Sequence, residues 1–307
     1  TVEPLISYQP ELEESNYLDT AWDAGKIGDT QYTIPLDIHA SAMYYNQDLL
    51  EKYNVTSWLD DNIVTFDEMM SLAGKMDEGD YVVNNALLSW VILAQIRNLG
   101  GAISDDAGNP TVNTPEMKEA LEKIKALTDA GLMTPYGEDG YLMFQGGNVL
   151  LSTDGTWTST AHNAVDGLNW GVTNIYSTSD DIATNRAASH MFGMLKSESR
   201  TEEKKEVIAK FLEFVRTNSI EWAKAGQIVA SKDVLESDDY KKYPQSFFTS
   251  TPEEEDTLYI FDYVYFSYVL EALDVYCTDI AYGELDLDEG LATMQQYVED
   301  KIAEVAK

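Results

Sequence analysis

The chain has 307 residues, of which 44% are hydrophobic and 24% are charged, and this length exceeds a single typical core and predicts two lobes or domains. Its 54 acidic residues outnumber 20 basic ones, a formal net charge of −34, so we expect a soluble monomer whose surface repels nucleic acid and anionic lipid headgroups. The single cysteine, Cys277, excludes an internal disulfide and a cysteine-based metal site.

The first half of the chain alternates short strands with helices, as an α/β fold requires. The pattern predicts strands over residues 32–36 and 41–46. Thr65 and Glu68 form a capping box, because each side chain can bind the backbone amide at the other end of the first helical turn. The pattern predicts a helix from there through Met76.

The predicted helices that follow have clear starts and apolar faces. Thr114 and Pro115 begin one helix, and Gly131 ends it. Its apolar positions at helical spacing are Met117, Ala120, Leu121, Ile124 and Leu127. A helix over residues 201–216 is predicted to bury Val207, Ile208, Phe211, Leu212 and Val215. The last helix begins at Asp286, and its apolar stripe is Leu291, Met294, Val298, Ile302 and Val305.

A short apolar strand, Val149 to Leu151, runs into a polar turn over residues 152–155 and ends by presenting Trp157. Asp154 followed by glycine favours a turn, because glycine accepts positive φ and an aspartate can hydrogen-bond to its own backbone. Such a tryptophan can either close a core at the strand end or hold a flat ring toward a cleft. The residues alone leave both possibilities open.

Several segments, taken in order, resemble the solute-binding proteins that serve ABC sugar importers. Residues 144–157 are similar to the F-x-x-G-x-x-x-M-x-x-x-G-x-W stretch of that family, with Leu151 at the methionine position. Residues 32–50 resemble its Y-x-I-P … Y-Y-N-x-D-L stretch, and residues 100–116 its GG … D-x-G … F-N-T-P-E stretch. Because the ordered set covers nearly the whole chain, the protein is identified as a member of this family, in its maltodextrin-binding-protein-like group.

The resemblance implies an α/β fold of the two-lobed periplasmic-binding-protein type II, with a ligand held in the cleft between the lobes. By analogy, lobe 1 would consist of residues 1–46 and 177–233, and lobe 2 of residues 47–176 and 234–307. Only 31 residues precede Tyr32, fewer than the family carries there. Lobe 1 is therefore expected to be incomplete at its N-terminus.

The resemblance also implies a function without catalysis. The chain is expected to capture a mono- or oligosaccharide outside the cytoplasm, by closure of its lobes, and to deliver it to the membrane permease subunits of an ABC importer. A lipid anchor is expected on the full-length precursor. Neither a cofactor nor a metal is expected.

The candidate ligand-binding residues combine polar side chains with aromatic rings, as sugar recognition requires. They are Asp37, His39, Asn85, Leu87, Asp154, Trp157, Ser189, His190 and Phe266. Asp37 and Trp157 match a sugar-binding acid and a stacking tryptophan of the maltodextrin-binding protein. Asn85 and Leu87 stand where that relative has an acid and a stacking tyrosine, so a different pocket is expected.

Each candidate has a structural alternative. Asp37 could be a strand-end acid paired with a lysine, and His39 and His190 could be partly buried histidines with satisfied hydrogen bonds. A metal bound by these two histidines would need further ligands, which no spacing suggests. Trp90 is expected in a helix core rather than at a ligand, and Tyr265 and Tyr268 compete with Phe266 for the place of a further stacking ring.

Two other functions stay open at this point. The sequence has none of the motifs G-x-S-x-G, H-E-x-x-H, P-loop or Rossmann fingerprint. A glycoside hydrolase, however, needs only two suitably spaced carboxylates, and Asp37 and Asp154 could supply them. A polyamine-binding protein of the same fold is the other alternative, since an acidic and aromatic cleft favours a cation.

Overall fold

The computed structural model describes residues 2–179 and 182–305, apart from the side chains of Glu3 and Pro4. The strands in this part of the chain are β1 (Lys26–Ile27), β2 (Thr30–Gln31), β3 (Thr33–Pro35), β4 (Asp37–Asn46), β5 (Tyr81–Val83), β6 (Val149–Gly155), β7 (Trp170–Thr173), β8 (Asn185–Ala188), β9 (Met191–Gly193), β10 (Ile228–Val229) and β11 (Leu258–Tyr259).

The α-helices of the same part of the chain are α1 (Glu3–Ile6), α2 (Asp19–Asp23), α3 (Gln47–Lys52), α4 (Phe66–Met70), α5 (Leu88–Asn98), α6 (Pro115–Asp129), α7 (Gly140–Gln145), α8 (Ser159–Asn163), α9 (Glu202–Thr217), α10 (Ile220–Ala223), α11 (Lys232–Leu235), α12 (Pro252–Glu255), α13 (Phe266–Ala281) and α14 (Leu287–Val305). None of these helices is long and apolar enough to cross a membrane.

The chain forms two compact units and passes between them several times. Unit 1 consists of Thr1–Ala40, Thr156–Ala161 and Ala187–Ile260, and unit 2 of Ser41–Gly155, His162–Arg186 and Phe261–Lys307. These units differ from the predicted lobe boundaries, most of all over residues 234–260, which belong to unit 1. The reason is local packing, because Val234 and Tyr240 lie in one apolar cluster with Ala223 and Val229.

Unit 2 contains the larger core, in which a sheet is covered by helices. Strand β6 pairs antiparallel with the second half of β4, from Ser41 opposite Gly155 to Tyr45 opposite Leu151, and parallel with β5. Helices α5, α6, α13 and α14 pack against one another. Because nearly all of β4 and the whole of β6 are buried, their sequences lack the alternation of a half-exposed strand.

The helix predictions for unit 2 can be checked residue by residue. The capping box between Thr65 and Glu68 is present, but the α-helix ends at Met70 and turns follow it, so the predicted length is wrong. Helix α6 buries all five predicted positions and begins at the predicted Thr114 cap. In α14 the stripe is buried through Val298, whereas Val305, in the last turn, is 58% exposed.

In unit 1, the first four residues of β4 pair with two strands in succession. Strand β10 pairs antiparallel with Asp37 and Ile38, and strand β8 pairs with His39 and Ala40. The neighbouring strand pair, β3 with β9, completes this region. Helix α9 lies in the same unit and is capped by Thr201, and its bounds agree with the predicted range 201–216 to within one residue. Its predicted apolar face is only partly buried.

The prediction for α9 fails at two positions. Leu212 is buried as expected, while Val207 and Phe211 are 62% and 54% exposed. Helical periodicity places Val207 and Phe211 on one face, four residues apart, and in the described structure that face is open to solvent. Periodicity identifies an apolar face but not what covers it.

Candidate functional site

Asp37 is a buried carboxylate in unit 1, held by donors from several elements. It is the first residue of β4, and its side chain has no exposed surface. Its Oδ2 accepts a hydrogen bond of 2.5 Å from Nε1 of Trp222, on α10. Its Oδ1 accepts one of 3.0 Å from the backbone amide of His190, whose ring Nδ1 lies 2.9 Å from Oδ2.

His39 and Trp157 complete this group of side chains. The spacing of two residues along β4 places His39 on the same side as Asp37, and His39 Nδ1 lies 3.5 Å from Asp37 Oδ1. The rings of His39 and His190 stack at 4.3 Å, and the Trp157 ring meets His39 at 6.0 Å in an edge arrangement. We call Asp37, His39, Trp157, His190 and Trp222 the Asp37 cluster.

The ionisation of Asp37 follows from these contacts. Burial raises the pKa of the Asp37 carboxyl, but the hydrogen bonds from His39, His190 and Trp222 outweigh it, so that the pKa lies below the ordinary 3.8. The group is therefore a carboxylate at neutral pH. Its partners are two histidines and a tryptophan rather than the lysine considered from the sequence.

Asp37, His39 and His190 also lie close enough to be metal ligands. One ligand atom from each falls within 4.8 Å of the others, so Asp37 supplies the third ligand that no sequence spacing suggested. The same carboxylate oxygens, however, already accept hydrogen bonds from Trp222 and His190. These hydrogen bonds account for the arrangement of Asp37 and His190, and the His39 ring stacks on that of His190.

The position of Trp157 depends on a close approach of the backbone. Trp157 lies in a 3₁₀ turn, Thr156–Thr158, directly after β6, and its side chain is partly exposed. Gly226 lies against this turn with φ of +88°. A Cβ at Gly226 would come within 2.3 Å of the Thr156 carbonyl oxygen and 3.0 Å of Trp157 Cα, so a larger residue there would displace the turn.

Three of the predicted site residues lie in unit 2 near its strand ends. Asp154, on β6, is buried and accepts a hydrogen bond of 2.7 Å from the Gly155 amide. Burial raises the pKa of Asp154 to about 6, and the charge of Asp139 adds to this effect. Asn85 is partly exposed, with Nδ2 3.4 Å from the Pro135 carbonyl oxygen. Leu87 precedes α5 in a left-handed conformation, φ 48°, which is strained for a branched residue.

The two remaining predicted residues differ in their surroundings. Ser189, in unit 1, donates a hydrogen bond of 3.3 Å to the carbonyl of its neighbour His190. Phe266, in unit 2, is the first residue of α13 and stacks on Phe261 at 5.8 Å. The structure thus brings four predicted residues (Asp37, His39, Trp157 and His190) into one cluster of unit 1, with Ser189 adjacent to it, and leaves Asn85, Leu87, Asp154 and Phe266 in unit 2.

Sequence reasoning missed two residues, Trp222 in the Asp37 cluster and Arg186 in unit 2. Trp222 joins the Asp37 cluster from α10, 185 positions away along the chain, and no local pattern signals that contact. Arg186 is buried in unit 2 with its guanidinium 3.7 Å from the Trp90 ring centroid. An arginine at the edge of the small-residue run Ala187–Ala188, in a strongly acidic chain, was the signal that could have identified it.

Comparisons with known proteins match this chain to solute-binding proteins. The model of a family described as bacterial extracellular solute-binding protein matches residues 3–249. A curated relative from Deinococcus radiodurans, "Probable ABC transporter-binding protein", is 28% identical over 129 residues. That similarity covers 37% of this chain, and the chain spans only 30% of the relative's length.

Solved structures of solute-binding proteins share the fold at low sequence identity. The sugar-binding protein MalE from Xanthomonas citri is similar with a TM-score of 0.79 and 12% identity, covering 99% of this chain and 79% of that one. UgpB from Mycobacterium tuberculosis, solved with glycerophosphocholine, has a TM-score of 0.77 and 16% identity, covering 100% and 79%. Maltose-bound MalE3 of T. maritima has a TM-score of 0.75 and 18% identity, covering 96% and 79%.

Proposed function

The chain belongs to the family of bacterial extracellular solute-binding proteins, and we propose that its solute is a mono- or oligosaccharide bound at the Asp37 cluster. The family consists of binding proteins and not of enzymes, so the ligand is held and released without chemical change. The observation that carries the proposal is the partly exposed indole of Trp157 beside His39, whose ring stacks on that of His190, a histidine that the buried Asp37 carboxylate orients.

A sugar presents an apolar C–H face and hydroxyl groups, and the Asp37 cluster offers a partner for each. The Trp157 ring supplies a flat apolar surface for the C–H face. The His190 side chain, 55% exposed, can exchange hydrogen bonds with hydroxyl groups through its other ring nitrogen. The cluster can therefore recognise a polyol with one apolar face.

Asp37 has an indirect role in this proposal. Its side chain is fully buried, and its oxygens accept hydrogen bonds from His190 and Trp222. It fixes the orientation and the protonated nitrogen of the imidazole, as a carboxylate does behind a metal-bound histidine. The resemblance matched Asp37 to an acid that binds sugar directly. We propose instead that Asp37 positions the side chains that bind the sugar.

Members of the family act outside the cytoplasm. We propose that the ligand-bound protein delivers its solute to the permease subunits of an ABC importer, and that a lipid anchor tethers the full-length precursor. The similarity to a protein described as a transporter-binding protein supports the first of these proposals.

A thermal-shift screen with saccharides tests the proposed function. The panel pairs neutral mono- and oligosaccharides with the polyamines spermidine and putrescine. We expect at least one saccharide to raise the Tm, because a ligand that binds only the folded state stabilises it, and we expect it to be recovered intact after incubation. A response to polyamines alone, or release of reducing sugar from an oligosaccharide, would contradict the proposal.

A further inference from the structure

Arg186 is a buried cation that lacks an acidic partner among the described residues. Its side chain is 5% exposed, and its Nε has no hydrogen-bond acceptor. Arg216 is buried to a similar degree, 6% exposed, yet it is paired with Glu213 at 2.8 Å and Asp233 at 2.7 Å. In a chain with 54 acidic and 20 basic residues, an unpaired buried guanidinium is unexpected, since burying a lone charge is costly.

The guanidinium lies between two aromatic rings instead. Its central carbon is 3.7 Å from the Trp90 ring centroid and 5.0 Å from that of Phe266. Such cation–π contacts offset part of the cost of burial. They do not satisfy the N–H donors, because these lie in the plane of the guanidinium and the rings cover its faces. The Nε–H donor therefore has no protein acceptor among the described residues.

The backbone around Arg186 adds positive potential. Trp90 belongs to the first turn of α5, and Phe266 is the first residue of α13. Both helices have 11 or more residues, and neither has a side-chain N-cap, since Leu87 and Tyr265 occupy the two cap positions. The first turn of a helix carries a partial positive charge and favours anions.

One acid acts on Arg186 from a distance. Burial lowers the pKa of Arg186 to about 10, and the charge of Asp274, on α13, opposes that effect. Asp274 is exposed to solvent, and no ion pair with Arg186 forms within 4.0 Å in the described part of the chain. Among the described residues, the charge beside Arg186 therefore stays positive, against the sign of the whole molecule.

We infer that Arg186, together with the first turns of α5 and α13, forms a subsite within unit 2 for an anionic group, a carboxylate or a phosphate. The planar guanidinium presents parallel N–H donors, which match two oxygens of such a group. This inference goes beyond the proposed function, because it concerns residues of unit 2 alone, whereas the Asp37 cluster lies in unit 1. A polyamine would be repelled here.

Inorganic phosphate is the simplest probe of this subsite. In wild type, we expect phosphate to raise the Tm by about 2 °C or more relative to chloride at equal ionic strength, once it exceeds its Kd several-fold. Arg186→Met should weaken phosphate binding by about ten-fold or more, since it removes charge-assisted hydrogen bonds. Arg97→Met is the matched control, because Arg97 is exposed at the other end of α5, and its response should equal that of wild type.

Arg186→Lys keeps the test decisive if Arg186→Met fails to fold, because lysine retains the charge but loses the paired donors. We expect Arg186→Lys to bind phosphate more weakly than wild type. Acetate in place of phosphate, at the same ionic strength, separates a carboxylate site from a phosphate site. An equal response of wild type and the Arg186 variants, or no response of wild type to either anion, would overturn the inference and leave Arg186 as a clamp between two helices.

The result also separates this inference from the proposed function. A neutral saccharide that binds wild type and Arg186→Met equally well, with no effect of phosphate or acetate, supports saccharide capture and overturns the anionic subsite. If phosphate binds through Arg186 and no saccharide in the panel raises the Tm, the anionic subsite is supported and saccharide capture is contradicted.

Discussion

At Asp37, a single carboxylate organises side chains from three separate parts of the chain. It accepts hydrogen bonds from Trp222 and from the backbone of His190, and it lies beside His39. Burying an ionised group is favourable only when such donors compensate it. The integrity of the cluster therefore depends on the charge of Asp37 as well as on its shape.

Asp37→Asn should lower both stability and solute affinity. The amide nitrogen of asparagine would face donors on Trp222 or His190, and the loss of charge-assisted hydrogen bonds at a buried site costs about 1–3 kcal/mol. Urea denaturation gives the free energy of unfolding, and calorimetry gives the affinity. Asp238→Asn, at a fully exposed side chain, is the control and should change neither quantity. Unchanged stability of Asp37→Asn would mean that the donors do not require the charge.

The buried carboxyl of Asp154 predicts that the stability of the protein depends on pH. Burial raises its pKa from 3.8 to about 6, so between those values the folded state holds a proton that the unfolded state has lost. Stability should therefore fall as the pH rises from about 4 to 6. Asp154→Asn removes this contribution and should stabilise the protein at pH 7 by about 3 kcal/mol, given 1.36 kcal/mol for each pKa unit.

Denaturation of wild type and Asp154→Asn from pH 4 to pH 8 checks this prediction. The difference in the free energy of unfolding between the two should grow with pH and level off above pH 6. A constant difference over the whole range would show that the pKa of Asp154 is the same in the folded and unfolded states, and would contradict the prediction.

Among the elements, the turn that carries Trp157 is fixed from outside by Gly226. The glycine adopts φ of +88°, and a Cβ there would lie 2.3 Å from the Thr156 carbonyl oxygen. Both the conformation and the space require glycine. The position of the turn that carries Trp157 thus depends on a glycine 69 residues further along the chain.

Gly226→Ala should displace this turn, destabilise the protein by about 2 kcal/mol or more, and weaken solute binding. Gly28→Ala is the matched control in the same unit. Gly28 also has a positive φ, +58°, but a Cβ there would meet nothing within 4 Å, so only the conformational cost of about 1 kcal/mol applies. Calorimetric melting and binding titrations measure both effects. Equal losses for the two variants would mean that the close contact at Gly226 is relieved easily.

How far the sequence predicts the elements depends on whether their signals are local. Helix α6 has a cap and a buried stripe within 15 residues, and its prediction is confirmed. The prediction for α4 overran Met70, since a capping box marks where a helix starts but not where it ends. Contacts such as Trp222 with Asp37 join distant segments, and a single sequence contains no local trace of them.

For the whole molecule, family and fold class were predicted from ordered motifs, and both are confirmed. Motif order survives divergence because it reflects the path of the chain through the fold. The site residues stay predictions, and the structure changes the roles we assign to two of them. Asp37 is too buried to reach a solute, and Phe266 covers one face of a guanidinium that sequence reasoning did not identify.

The central claim is that a saccharide binds against the indole of Trp157, and isothermal titration of the saccharide found in the panel tests it most directly. Trp157→Ala should weaken binding by about 2 kcal/mol, roughly 30-fold, as for a buried aromatic anchor. Trp157→Phe, which keeps a flat ring, should retain most of the affinity, and both variants should keep the Tm of wild type without ligand. An affinity unchanged in Trp157→Ala would contradict the claim and make Trp157 a structural residue.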